Sequence, residues 1–178
     1  MKHKRFIFVI ALFTLALTAF AQQPDKSKRP SPPGTAEVTL KQKRITVDYS
    51  RPSLKGRKAV GGQLVPYGQV WRTGANEATA LTTEADLNVG GVNVPAGKYT
   101  LYTLPSEGTW KLIMSKQTGQ WGTIYNEDQD LARVDMQKTA LEQPVEQFTI
   151  SFEKTGDDSA NLVLQWENTQ VSVPVKVK

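Results

Sequence analysis

From Gln22 onward the chain contains neither histidine nor cysteine; its single histidine is His3. That composition excludes imidazole-activated serine or cysteine nucleophiles, thiolate chemistry, and zinc sites built on nitrogen or sulfur. Carboxylates, a lysine or tyrosine base, or a hard metal on carboxylates are what remain for catalysis. The richest stretch of recognition-type side chains runs from Arg51 to Glu77, RPSLKGRKAVGGQLVPYGQVWRTGANE, with five glycines and two prolines. It lacks the alternation of a strand. A long irregular stretch inside a compact domain is either a binding loop or a packed Ω-type loop. In a binding loop, Tyr67 and Trp71 offer flat apolar faces, and Arg72, Asn76 and Glu77 offer oriented hydrogen bonds, as small-molecule and glycan sites require. In a packed loop, the same rings cap one end of the fold and Arg72 pairs with Glu77. Both readings stay open on the sequence. Trp121 joins the candidates because it sits between Gln120 and Gly122 in a Gly-rich turn. Trp110 shares a strand face with Leu112 and Met114, and Trp166 with Leu162 and Leu164, so both belong to the core.

Other chemistry-like strings fail on spacing. Asn126, Asp128 and Asp130 open like a calcium loop, but the sixth position is Leu131 and the twelfth is Gln137, where Gly and Glu are needed. A solvated acidic turn is expected, with no metal and no cofactor. Ser151-Phe152-Glu153-Lys154 matches the S-x-x-K string of serine–lysine acylases, which needs a helical turn. On an alternating strand, positions i and i+3 face opposite ways. A carboxylate-pair hydrolase of the glycoside type would use Glu77 with Glu84, Asp86 or Asp130, two acids roughly 5–9.5 Å apart.

The elements that must position these side chains have period two. Ile45, Val47 and Tyr49 share a face, as do Phe148, Ile150 and Phe152; Leu162, Leu164 and Trp166; and Val171, Val173, Val175 and Val177. Each set fits a strand buried on one side. Leu87-Asn88-Val89 and Val92-Asn93-Val94 flank Gly90-Gly91, a two-residue hairpin turn. Strands are also predicted near 37–40, 79–85, 98–104, 109–114 and 133–138, and a turn of helix at 127–133. Pro174 puts the last strand at an edge or a bulge. The fold class is all-β: an antiparallel β-sandwich of roughly 8–10 short strands, Greek-key-like, with one long irregular loop. Pro95-Ala96-Gly97-Lys98-Tyr99 has the form of a tyrosine corner, whose hydroxyl bonds to backbone a few residues upstream.

Residues 1–21 read as a signal peptide: Lys2, Lys4 and Arg5, an apolar run from Phe6 to Phe20, then Ala19-Phe20-Ala21 as the cleavage site. The run is shorter than the roughly 20 residues of a spanning helix. After cleavage no transmembrane segment is expected. The leader holds three of the 22 Lys/Arg and none of the 17 Asp/Glu, so the net charge falls from +5 to +2. The basic pI therefore argues little for nucleic acid. Residues 22–35, QQPDKSKRPSPPGT, read as a Pro-rich linker, and 36–178 as a single sandwich domain without disulfides. At this size one core suffices.

The strings YSRPSLKGR, LVPYGQVWRTGANEAT and VPAGKYTLYTLP, followed by a tryptophan strand and QWG, resemble a bacterial family, Domain of Unknown Function 2911. The resemblance runs from about Asp48 to Gly122 and continues more weakly through LARV and LQWE. It implies an exported single-domain protein and carries no catalytic residue with it. That family often shows Tyr-Asp after its WG motif; here Ile124-Tyr125-Asn126 stands instead, so no role for an aspartate at 126 transfers.

Three functions follow as expectations. The first is an exported, periplasmic or extracellular, non-enzymatic module binding a glycan, a peptide or an envelope component. It would use Tyr67, Trp71, Arg72, Asn76, Glu77 and Trp121. The second is the small carboxylate hydrolase, and the third a purely structural envelope accessory domain.

Overall fold

A computed structural model describes residues 25–178. The signal-peptide reading lies outside these residues. Nine strands follow in chain order: β1 (Pro33–Leu40), β2 (Lys43–Ser50), β3 (Thr79–Thr83), β4 (Leu87–Val89), β5 (Val92–Val94), β6 (Gly97–Leu104), β7 (Trp110–Ser115), β8 (Asp130–Lys154) and β9 (Ser159–Val177). All pair antiparallel in one sheet, ordered β1-β2-β3-β6-β7-β8-β9-β4-β5 and not closed into a barrel.

The alternation in sequence explains the layering. Ile45, Val47 and Tyr49 of β2, Leu81 of β3, Leu101 of β6 and Leu112 of β7 are all buried. They meet Leu87 and Val89 of β4, Leu162 and Leu164 of β9, and Ile150 of β8 in one apolar core. The sheet therefore folds over, and its two halves face each other as a sandwich. At 25 cal/mol per Å² of apolar surface, each such side chain contributes roughly 1.5–3 kcal/mol when fully buried.

The fold-over is pinned across its open side. Phe148 N–H donates to the Pro52 carbonyl at 2.8 Å, and Leu54 N–H to the Glu146 carbonyl at 2.9 Å. The Tyr49 hydroxyl adds bridges to the backbone of Ile150, accepting from its N–H at 2.8 Å and donating to its carbonyl at 3.3 Å.

Two strands are much longer than the short ones predicted. Regions 133–138 and 148–152, read as separate strands, belong to one 25-residue strand, β8. Its first part pairs with β7, and its later part with the 19-residue β9. Register shifts interrupt the second ladder between Ala140 and Thr149. That stretch holds Pro144 and is largely exposed, so alternation is lost in sequence although pairing resumes beyond it.

The turn chemistry holds. Gly90 and Gly91, both at positive φ, close the β4–β5 hairpin. Tyr99 donates to the Pro95 carbonyl at 2.9 Å, completing the tyrosine corner. The strand carrying Pro174 is not an edge strand as predicted, since β9 stands between β8 and β4; Pro174 is tolerated because it lies beyond the last β8–β9 pair, Gln137 with Ser172, so its missing N–H faces no β8 partner. The predicted helical turn is a 3-10 turn, Glu127–Gln129, capped by the Asn126 side chain. The β3–β4–β5–β6 path is the Greek-key-like excursion: β3 and β6 pair, while the hairpin between them pairs with β9.

Candidate functional site

Gly74 and Asn76 make the LVPYGQVWRTGANEAT stretch hug the sheet. Gly74 has φ +148°, and a Cβ there would lie 2.9 Å from the Ser50 carbonyl oxygen of β2. Only glycine permits that approach in that conformation. Asn76, at φ +59°, donates through Nδ2 to the Ser31 carbonyl at 3.1 Å and to Ser50 Oγ at 3.2 Å. Trp71 and Thr103 exchange backbone hydrogen bonds at 2.8 and 3.0 Å, stitching the loop to β6. The Thr73 hydroxyl donates to Thr103 Oγ1 at 3.2 Å, and the Thr79 hydroxyl to the Thr73 carbonyl at 2.7 Å. Much of the segment is thus packed scaffold.

Trp71 follows the packed reading. It is 8% exposed, stacked on Trp166 at 5.8 Å between ring centroids and edge-on to Phe148 at 4.9 Å. Tyr67 is 37% exposed, with the Lys138 ammonium 5.7 Å from its ring centroid. Arg72 does not pair with Glu77. Its Nε donates to the Gly74 carbonyl at 3.3 Å. Glu77 instead accepts from a single Arg29 nitrogen, Nη1, on both of its oxygens, at 2.9 and 2.8 Å, with Lys26 Nζ at 3.1 Å. Arg29, the backbone N–H of Glu77 and Lys26 together pull this carboxyl down to about 2, against some opposition from burial.

Around Glu77 a groove of about 440 Å³ opens on the outer face of β1–β3. Its volume falls within the roughly 300–1,000 Å³ of small-molecule sites. Small side chains create the depth: Gly34 on β1, Ser50 on β2, and Ala78 and Ala80 at and before β3. Lys26, Arg29, Thr35, Asp48 and Gln120 supply polar walls. Asp48 accepts from the Thr35 hydroxyl at 2.6 Å. Gln120 Nε2 donates to the Tyr102 hydroxyl at 3.0 Å and Thr100 Oγ1 at 3.2 Å, while its Oε1 is buried without a hydrogen-bond partner. Trp121 forms an antiparallel bridge with Glu77 and is 47% exposed. The bridge ties the Trp121 backbone to that of Glu77, although Trp121 is not among the residues that line the groove.

The matched family model settles the chain's kinship: it spans residues 31–175 and is described as "Protein of unknown function (DUF2911)". The chain belongs to this family. No curated protein and no solved structure matches the chain. The family strings coincide with the stitching just described, Trp71 to Thr103, Gly74 over β2 and Tyr99 to Pro95, so what they encode is in large part the scaffold.

The six candidate residues are therefore divided. Glu77 lines the groove, Trp121 is bridged to it through the backbone without lining the groove, and Asn76 ties this stretch to β2. Trp71 and Arg72 line a second cavity on the other side of residues 119–125. Tyr67 lines neither. Sequence reasoning missed Lys26, Arg29, Thr35, Asp48 and Gln120. Asp48 and Thr35 are directly paired across β1 and β2; the outward position of Asp48 was readable from the alternation, whereas Thr35 fell in the stretch read as linker. The Arg29–Glu77 contact had no local signal.

The acids offered as partners for Glu77 are committed elsewhere. Glu84 accepts from Arg44 N–H at 2.8 Å, and Asp86 from Ala96 N–H at 2.8 Å. Asp130 accepts from Tyr125 Oη at 2.7 Å and Arg133 Nε at 2.8 Å. Burial and the Asp130 carboxylate push the Tyr125 hydroxyl up to about 12.

Proposed function

We propose that this protein is an exported, non-enzymatic binding module whose outer-face groove takes a saccharide-type ligand. The observation that carries the reading is Trp121: an indole left 47% exposed on a residue whose backbone is bridged to Glu77, in the wall of a polar groove of about 440 Å³. A flat apolar ring next to mixed donors and acceptors suits a sugar, which presents an apolar face and a rim of hydroxyls. Arg29 and Lys26 offer donors and Asp48 offers an acceptor. Glu77 is held ionised and doubly paired, which suits orientation and opposes use as a general acid at neutral pH. Export rests on the leader's composition, and the missing imidazole and thiol favour binding over covalent chemistry.

The test is a thermal-shift screen of the secreted chain against oligosaccharides and peptidoglycan fragments, repeated with Trp121→Ala. A saccharide present at a hundred times its dissociation constant adds about 2.7 kcal/mol to stability. Trp121 is the exposed indole, since Trp71, Trp110 and Trp166 are buried. Binding should therefore shield Trp121 from acrylamide quenching, and Trp121→Ala should abolish the thermal shift while leaving the unliganded midpoint unchanged. A panel that shifts neither quantity, or shifts both proteins equally, removes the saccharide reading.

A further inference from the structure

On the far side of residues 119–125 lies a separate cavity of about 270 Å³ between the 64–72 segment and the 122–125 turn. Arg72 stands in its wall with Trp71, Tyr102 and Tyr125, and no Asp or Glu lines it. Among the described residues the other arginines are provided for. Arg29 pairs with Glu77, Arg44 with Glu37 and Glu84, and Arg133 with Glu127 and Asp130. Arg51 and Arg57 each donate a terminal nitrogen, to Thr149 Oγ1 at 3.0 Å and the Ser53 carbonyl at 2.8 Å. Arg72 has only its Nε engaged, at 3.3 Å, and makes no ion pair among the described residues. Its two terminal nitrogens carry four N–H donors and have no protein acceptor there.

Its position is nonetheless fixed. The stem runs over Gly122, where a Cβ would lie 2.8 Å from Arg72 Cδ, and the Gly122 N–H donates to the Asn76 carbonyl at 2.9 Å. The nearby tyrosine hydroxyls are committed: Tyr102 donates to the Ile124 carbonyl at 2.6 Å and Tyr125 to Asp130 at 2.7 Å. The cavity thus combines apolar walls, from Leu64, Pro66, Val70 and the aromatic residues, with one half-buried guanidinium.

We infer that this cavity binds the carboxylate of a small organic acid with a ring-shaped or apolar body, gripped by the terminal nitrogens of Arg72. A guanidinium matches a carboxylate through two parallel hydrogen bonds. The volume lies just below the roughly 300–1,000 Å³ of drug-sized pockets, so the ligand is small. This site is separate from the groove and does not depend on what the groove binds.

Benzoate is the probe, with benzamide as its neutral counterpart and inorganic phosphate as an anion without an apolar body, each titrated calorimetrically into the full chain. Benzoate should saturate one site, with benzamide and phosphate each weaker by about tenfold or more, the worth of a charged hydrogen bond. Arg72→Gln should weaken benzoate by the same order, and Trp121→Ala should leave it unchanged. Arg72→Lys, which keeps the charge and loses the fork, should fall between. Phosphate binding as tightly as benzoate would overturn the carboxylate assignment in favour of a general anion site. Equal binding of benzoate and benzamide to the unaltered protein, which needs no variant to fold, or no saturable benzoate binding, would overturn the site itself.

Discussion

Arg29 reaches Glu77 from 48 residues earlier in the chain, and no spacing rule links the two. The sequence offered Arg72 as the partner because it is close in number. The structure gives Arg72 to the Gly74 carbonyl, since positive φ at Thr73, Gly74 and Asn76 turns the chain between them. Trp121 and Trp166, in contrast, were readable from their neighbours: a Gly-rich turn for one, a leucine face for the other. The Glu77 pairing has a pH signature. Its carboxyl titrates at about 2 in the folded chain against an ordinary 4.5. The depressed value means that its contribution is complete above about 4.5 and disappears as pH falls from there towards 2. With the Glu77 side chain 41% exposed, solvent screening limits the contribution to about 1 kcal/mol or less. Glu77→Gln should therefore flatten the acid limb of a plot of melting temperature against pH between 2 and 5, by lowering the midpoint slightly at pH 7 and leaving it nearly unchanged at pH 2. An unchanged acid limb would show that the contact to Arg29 is not formed in solution.

Strands with one apolar face were legible, and strands buried on both faces were less so. Tyr102 and Ile113, directly paired, are buried although they alternate out of phase with the core residues Leu101 and Leu112. The 116–129 segment covers them from outside, through Gln120 on Tyr102, Tyr102 on the Ile124 carbonyl, and Tyr125 edge-on to Tyr102 at 4.9 Å. The runs YTLYTL and WKLIM carry large side chains on both phases, the signal that something must lie on the second face. At the other end of β6, the tyrosine corner was read correctly because its parts are local. Tyr99→Phe keeps the ring and removes the bond to Pro95, so it should cost about 0.5–1.5 kcal/mol in urea unfolding. A loss below the error of the midpoint would mean the hydroxyl is as well served by water.

The sheet order separates sequence neighbours and joins distant ones: β4 pairs with β9, and β3 with β6 across the intervening hairpin. Chains dominated by such non-local pairings fold on the scale of milliseconds to seconds. Stopped-flow tryptophan fluorescence should therefore show refolding in that range, and a submillisecond main phase would contradict the pairing of β4 with β9. The overall class was legible because alternation and turn residues recur along the whole chain; the 25-residue β8 was not, because its middle is solvated and carries Pro144. The segment Asp25–Pro32 ahead of β1 bears on how the molecule can be handled. Lys26 and Arg29 hold it against the groove wall, so an affinity tag or surface attachment placed just before Asp25 emerges near Glu77 and would shadow the opening. Capture through Lys178, whose N–H is bonded to the Asp86 carbonyl at 3.0 Å, leaves that opening uncrowded and is the orientation in which immobilised assays will report the groove's own affinity.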